Sequence, residues 1–401
     1  MTHIAIIGGG ASGLMAACTA AQSGTRVTLF ERQARVGRKL LATGNGRCNL
    51  TNQNAGPSHY HGADPDFVRP ALAALRVAET LALFRSLGLL TAPADESGRV
   101  YPLSDSANSV LDVLRFELDR RSVTLHAPAP VTAIKRRGAS FVVETETDSV
   151  PADKVIIACG GCAGGKLGGV SDGYALLQSL GHSRTALHPA LTQLNCDSPY
   201  PRALKGVRAT AHIKLSRNGR TIGENRGEVQ FTEKGISGIA VFELSRLVST
   251  GGKCRAELDF LPDVSAPELT QLLTEQAPRR GSLPGEELLT GVLHNKLGRT
   301  LCRAADVAGK PCRELSAEEL SRCAALCKGF PLDVTGTGSF DSAQVTAGGV
   351  STSEFYPETL ESRIVPGLYA CGEVLDIDGD CGGYNLQWAW SSGYLAGRCA
   401  L

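Results

Sequence analysis

The chain has 401 residues, 41 basic and 40 acidic side chains and a formal net charge of +1. That length supports two or three domains with their own cores. A 42% hydrophobic and 20% charged composition excludes a disordered or fibrous chain, and the charge balance gives no electrostatic reason for nucleic acid or an anionic membrane as partner. The 46 glycines cluster between hydrophobic runs, as in loops whose backbone binds a ligand. Thirteen cysteines lie scattered without a framework spacing. Their odd number and the lack of a secretory leader predict reduced thiols and a cytoplasmic protein. Residues 4–25 carry no charge, but there is no basic stretch before them and Gly8, Gly9, Gly10 and Gly13 interrupt them. They read as strand, turn and helix, so no membrane span is expected.

Ile4-Ala5-Ile6-Ile7 is a continuous apolar run, the pattern of a parallel strand buried on both faces. An Ala-rich helix over 11–22 and a strand over 26–30 complete a βαβ unit. Residues 64–88 predict two amphipathic helices, and Ser104-Asp105 is expected to cap another that ends near Arg121. Segments 131–136 and 141–146 alternate like an antiparallel hairpin, and 154–159 is again a buried parallel-type strand. After residue 186 the texture changes. Segments 207–216, 221–222 and 228–231 predict short antiparallel strands, and 265–328 predicts helices separated by Pro267, Pro278 and Pro284. Glycine-rich α/β character returns near Gly336, with a strand over 367–371 and a closing helix from Tyr384 to about Arg398. The fold class is therefore α/β, a Rossmann-like nucleotide-binding domain interrupted by an inserted antiparallel β region and an inserted helical region. The predicted boundaries are 1–186 and 341–401 for the nucleotide-binding domain, 187–262 with 331–340 for the β region, and 263–330 for the helical insert.

Gly8-Gly9-Gly10-Ala11-Ser12-Gly13 fits G-x-G-x-x-G between a strand and a helix. Gly8 permits the turn, Gly10 lets the backbone approach a pyrophosphate, and Gly13 allows close helix–strand packing. Glu31, at the end of the second strand, is placed for ribose hydroxyls and favours FAD or NAD over NADP. Next come Arg38 and Lys39, which could lie on a pyrophosphate, and Asn45-Gly46-Arg47-Cys48-Asn49, whose backbone could line a flavin ring. Gly160 to Lys166 nearly spells a P-loop, but Leu167 stands where a Mg²⁺-binding hydroxyl belongs, so an ATPase is not expected. Cys159-Gly-Gly-Cys162 has the spacing of a redox dithiol, although glycines follow it where a redox motif opens a helix. Gly372-Glu373 ends a strand, and Gly382-Gly383-Tyr384-Asn385 opens the last helix, a second N-terminus suited to the electron-rich side of a reduced flavin. His59-Tyr60-His61 is a conceivable metal pair that no nearby ligand set completes, so no metal is expected. His188 reads as a packing or capping residue, and no nucleophile elbow is present.

The segments IAIIGGGASGLMAA, ERQARVGRKLLATGNGRCNLTN, VTAGGV and GLYACGEVLDIDGDCGGYNLQWAWSSG closely resemble the BaiN/RdsA (YhiN-like) bacterial family of NAD(P)/FAD-dependent oxidoreductases. The likeness covers most of the chain. It implies a flavoprotein fold of the two-dinucleotide-binding-domain type with an inserted β-barrel and a small helical domain. It also implies FAD contacts at Gly8, Gly10, Ala11, Ser12, Gly13, Glu31, Arg32, Arg38, Lys39, Asn45, Gly46, Arg47, Cys48, Asn49, Val131, Ala158, Gly160, Gly372, Glu373, Gly383, Asn385 and Leu386. The chemistry implied is NAD(P)H-driven reduction of an activated C=C bond in a small hydrophobic enone, possible steroids included, by hydride from flavin N5. Two alternatives stay open: a flavin-linked dithiol reductase using Cys159 and Cys162, and a non-enzymatic flavin-binding sensor. No histidine lies in a flavin motif, so Tyr384 is the candidate acid, with packing on the flavin edge as its other reading.

Overall fold

The structure, a computed structural model, describes residues 1–22 and 24–401. They form two compact units, one of residues 1–188 and 344–401, the other of residues 189–343.

The first unit is built on a five-stranded sheet in the order Leu368–Ala370, Lys154–Ile157, His3–Ile7, Arg26–Phe30, Thr124–His126, with every neighbouring pair parallel. The central strand is buried along its whole length, which is why it needs no polar alternation. Ile6 lies in register with Ile156 on one side and Leu29 on the other. A three-stranded antiparallel meander (Val131–Arg137, Ser140–Thr145, Ser149–Ala152) follows the fifth strand in sequence.

Two helices determine where a ligand can go. The opening helix Ala11–Ala20 is almost entirely buried and small-sided, and the closing helix Tyr384–Cys399 packs on it. A Cβ at Gly393 would sit 2.3 Å from the Ser12 carbonyl oxygen, and one at Gly397 would sit 2.5 Å from that of Ala16. Only glycine permits this backbone contact. Since Ser12 faces Gly393 and Ala16 faces Gly397, the helices run in the same sense. The closing helix starts nine residues before Gly393 and so reaches roughly 14 Å beyond the contact toward its N-terminus.

Gln387, fully buried in the first turns of the closing helix, fastens it laterally. Its amide donates to the Leu75 carbonyl (3.0 Å), Thr80 Oγ1 (2.9 Å) and Ser391 Oγ (2.9 Å). Its oxygen accepts from Thr51 Oγ1 (2.6 Å).

In the second unit six strands close an antiparallel barrel in the order Leu194–Cys196, Gly235–Ser237, Arg220–Phe231, Arg208–Arg217, Cys254–Asp259, Phe330–Thr337. Alternation puts Ala211, Ile213 and Leu215 inside, while Arg208 and Lys214 face out. Four longer helices, Ile239–Ser249, Ala266–Arg280, Asn295–Ala304 and Ala317–Lys328, share one apolar cluster with the barrel. Two of them begin at capping boxes, Ser265 with Glu268 and Ser316 with Glu319.

The structure corrects three local expectations. The helix Ala107–Arg120 is preceded by Ser106 with no side-chain cap, and Asp105 adopts a left-handed turn. Segments 221–222 and 228–231 belong to one strand, because the polar residues between them pair with Arg208–Arg217. Pro278 lies within the last turn of its helix and does not end it. Among the described residues no helix is long and apolar enough to cross a membrane.

Replacing Gln387 by Leu keeps the volume but leaves the Thr51 hydroxyl without its acceptor and Thr80 without a donor. We expect a loss of roughly 2–4 kcal/mol in unfolding free energy, the cost of a few unsatisfied buried polar groups. It would be seen as a lower urea midpoint at unchanged slope.

Candidate functional site

Four of the parallel strands end at one edge, and each is followed there by a residue of the expected site: Gly8, Glu31, Ala158 and, past Cys371, Gly372. This is the carboxyl edge at which open α/β sheets bind ligands. Gly8 has φ +109°, and a Cβ there would strike the Ala158 carbonyl oxygen at 2.4 Å. Gly13 is tighter, its Cβ position lying 1.8 Å from the Gly8 carbonyl oxygen. Gly10 differs: a Cβ there would meet nothing within 4 Å. The opening helix begins just after this residue with no side-chain cap and no acid in its first turn, so no side chain caps its first N–H groups.

Glu31 is buried beside this turn. Oε2 accepts from the Gly9 N–H (2.8 Å) and Oε1 from the Gln33 N–H (2.7 Å). Both bonds orient the carboxylate and leave it acceptor capacity for a ligand hydroxyl.

The second part of the site lies at the start of the closing helix. Gly383, with φ +103°, presses on the Thr51 carbonyl, and its Cβ position is 3.0 Å from Asn49 Oδ1. That amide oxygen is buried and without a hydrogen-bond partner. A buried acceptor of this kind beside an uncapped helix N-terminus calls for an external donor. Cys48, next to it, is buried, and burial pushes its thiol up to about 12.

Several expected contacts take a different form. Lys39 pairs with Glu373 (2.7 Å), and Arg38 donates to the neutral Gln33 amide (2.6 Å) and the Lys166 carbonyl (3.0 Å). Arg32 pairs with Asp172, and Arg47 lies over the Tyr101 ring. Asn385 spends its amide on Gly379 and the Asp380 carbonyl. Val131 opens the meander, Gly160 has open space at its Cβ position, Gly46 likewise, and Leu386 is partly buried. Lys39 and Arg32 are thus paired with carboxylates, whereas Arg38 is held by neutral groups alone and keeps its charge.

Tyr384 is buried, with its ring stacked on that of His59 (centroids 4.3 Å apart, 19° between planes). His59 belongs to a cluster that the sequence spacing hides. Asp380 lies 319 residues from His61 and accepts from both imidazoles, from His59 Nδ1 at 2.9 Å and from His61 Nε2 at 2.7 Å. Burial pushes the Asp380 carboxyl up, but the bonds from His61 and His59 outweigh it and hold the group below the usual aspartate range. Among the described residues no group of His, Cys, Asp and Glu has metal-ligand geometry.

The C-x-x-C pair is not activated. Cys159 donates to the Ile7 carbonyl (3.4 Å), and burial, with Asp172 and Glu31 nearby, pushes its thiol up to about 12. Burial and Glu373 also raise the Cys162 thiol, and all thirteen cysteines are free.

The open helix N-terminus, the buried oriented acid and the orphaned amide fit a dinucleotide such as FAD, so the fold and site define a Rossmann-type dinucleotide-binding protein. The chain belongs to the HI0933-like protein Rossmann domain family, whose model matches residues 2–399. It is 43% identical to the 3-dehydro-bile acid delta(4,6)-reductase of Clostridium scindens, over all of this chain and 99% of that one. It is 30% identical to the ribosomal RNA dihydrouridine synthase of Escherichia coli, over 98% of this chain and 96% of the other. Among solved structures, 3-ketosteroid delta1-dehydrogenase from Sterolibacterium denitrificans shares the fold at 12% identity and TM-score 0.54, covering 100% of this chain and 99% of that one.

Two glycine variants separate ligand space from folding space. Gly10→Val introduces no clash, so the variant should keep its far-UV circular dichroism and melting behaviour while purifying without FAD absorbance. Gly13→Ala should instead lose thermal stability, because its methyl group meets the Gly8 carbonyl.

Proposed function

We propose that this chain is an FAD-dependent oxidoreductase that reduces a carbon–carbon double bond conjugated to a carbonyl, in a small hydrophobic substrate, with NADH or NADPH as transient electron donor. The observation that carries the reading is the pairing of two helix N-termini, one open beside the buried Glu31 and one beside the orphaned Asn49 acceptor. The first-turn amides at Gly10, Ala11, Ser12 and Gly13 would hold the pyrophosphate, Glu31 a ribose, and the Asn45–Asn49 loop with Gly383 the ring. When bound, FAD supplies the two-electron redox chemistry.

The relatives' names support the bond type. A delta(4,6)-reductase of a 3-dehydro-bile acid and a dihydrouridine synthase both saturate a C=C bond conjugated to a carbonyl. The higher identity to the former, together with the near-zero net charge, favours a small apolar substrate over RNA. Thirteen free thiols fit a cytoplasmic setting. The raised, buried thiol of Cys159 speaks against the dithiol alternative.

Saturating such a bond also requires a proton. We assign it to the Tyr384 phenol, at the first position of the closing helix.

Anaerobic stopped-flow spectroscopy tests the reading. NADH or NADPH should bleach the FAD-loaded protein, and a 4-en-3-one steroid should restore the oxidised spectrum with formation of the saturated ketone. Reoxidation by a uridine-containing ribosomal RNA fragment and not by any enone would replace the small substrate with RNA. Failure with both would sink the reductase. Tyr384→Phe should bind FAD and be bleached normally while product formation falls by roughly 10²–10⁴-fold, the usual contribution of a positioned acid.

A further inference from the structure

Between the two short strands Tyr60–His61 and Asp378–Gly379 the chain builds a titratable cluster that the proposed reaction has not yet used. A single carboxylate, Asp380, holds two imidazoles, and the Asp380 N–H donates to the His59 carbonyl at 3.0 Å. The Asn385 side chain braces the same strand from the closing helix through Gly379 and Asp380. His59, His61 and Asp380 are each about one-third exposed (33%, 37% and 27%), so protons exchange with solvent. His59 lies flat against the ring of Tyr384.

Such an arrangement exceeds what bracing a two-residue ribbon needs. Each ring donates one N–H to Asp380, which fixes its tautomer and leaves the other nitrogen to take up a proton. The Asp380 carboxylate compensates a positive charge on a ring bonded to it. An imidazolium over the face of a phenol ring is attracted to it, and more strongly to a phenolate. The other ionisable groups around the cluster are few. Tyr60 donates its hydroxyl to the Tyr384 carbonyl, and burial, with Tyr384 and Asp380 beside it, keeps that phenol protonated. Asp376 accepts from the Ala63 N–H, Asp378 is buried in the ribbon, and Arg99 flanks Gly382 next to the Tyr384 ring.

We propose that His59, held by Asp380, is a positioning residue for Tyr384: as the imidazolium it stabilises the phenolate left when Tyr384 gives its proton to substrate. The inference rests on the assignment of Tyr384 as the acid. The step balances: FAD, when bound, would supply the hydride for one carbon of the C=C bond, the Tyr384 proton adds to the other, and solvent reprotonates the phenolate.

His59→Phe tests this in the FAD-loaded protein, because it keeps a stacked ring and removes the charge. We expect kcat to fall by roughly five- to thirtyfold, the worth of a partly desolvated cation–π contact. Asp380→Asn, which removes the carboxylate that compensates the imidazolium, should lower kcat in the same direction. A readout independent of turnover is the Tyr384 ¹³Cζ resonance in tyrosine-labelled holoprotein, which should shift in both variants. Wild-type turnover in His59→Phe, or a Tyr384 resonance unmoved by that variant, would overturn the proposal. Unchanged turnover in Tyr384→Phe, with the Tyr384 resonance of the otherwise native protein still responding to His59→Phe, would instead remove Tyr384 as donor while upholding the coupling.

Discussion

The close approach of the closing helix to the opening helix is the constraint on which the site depends. Gly393 and Gly397 touch the backbone of Ser12 and Ala16, and no larger residue fits at either position. Because the contact is made in the same sense along both helices, two N-termini stand on one side of the sheet, offset by roughly 12 Å. One meets the turn from Gly8 to Gly13 and the other meets Asn49 and Thr51. An elongated ligand with a negative centre and an electron-rich end would find a helix dipole for each. The small side chains of the opening helix, otherwise a poor core, make this approach possible.

Around those two ends the protein settles most of its own charges internally. Lys39 pairs with Glu373, Arg32 with Asp172 and the two imidazoles with Asp380. Under the proposed function the ligand would be met chiefly by backbone N–H groups, with side chains near it holding the loops. Glu31 shows the pattern, since both of its oxygens accept from the backbone before any ligand arrives.

The hydrogen-bond hub at Gln387 and the His–Asp–His cluster serve the same helix in different ways. Gln387 is fully buried and fastens the early turns to Thr51, Leu75 and Thr80. The cluster is partly exposed, stacks His59 on Tyr384 and is tied to Asn385 through Asp380. The buried, satisfied network fixes the helix start beside a cluster that solvent reaches.

By itself the sequence determined the features whose causes are local. The apolar run 4–7, the glycines of the first turn and Glu31 at the end of the second strand lie within about thirty residues, so strand period, turn geometry and acid placement are legible from spacing alone. The texture change near residue 186 marks the inserted unit, because alternation and Pro-spaced helices carry their own signatures. The tertiary structure alone decided what depends on distant segments meeting. Asp380 reaches His59 and His61 across more than 300 residues, so their pairing has no sequence period to betray it. The pairing of Lys39 with Glu373 is equally remote, and no spacing discloses that carboxylate partner. Burial acts in the same way: Cys159 and Cys162 have redox spacing, yet the packing around Cys159, beside strands from both ends of the chain, raises its thiol. Spacing shows which groups could meet, and only packing sets the dielectric and partners that decide their chemistry.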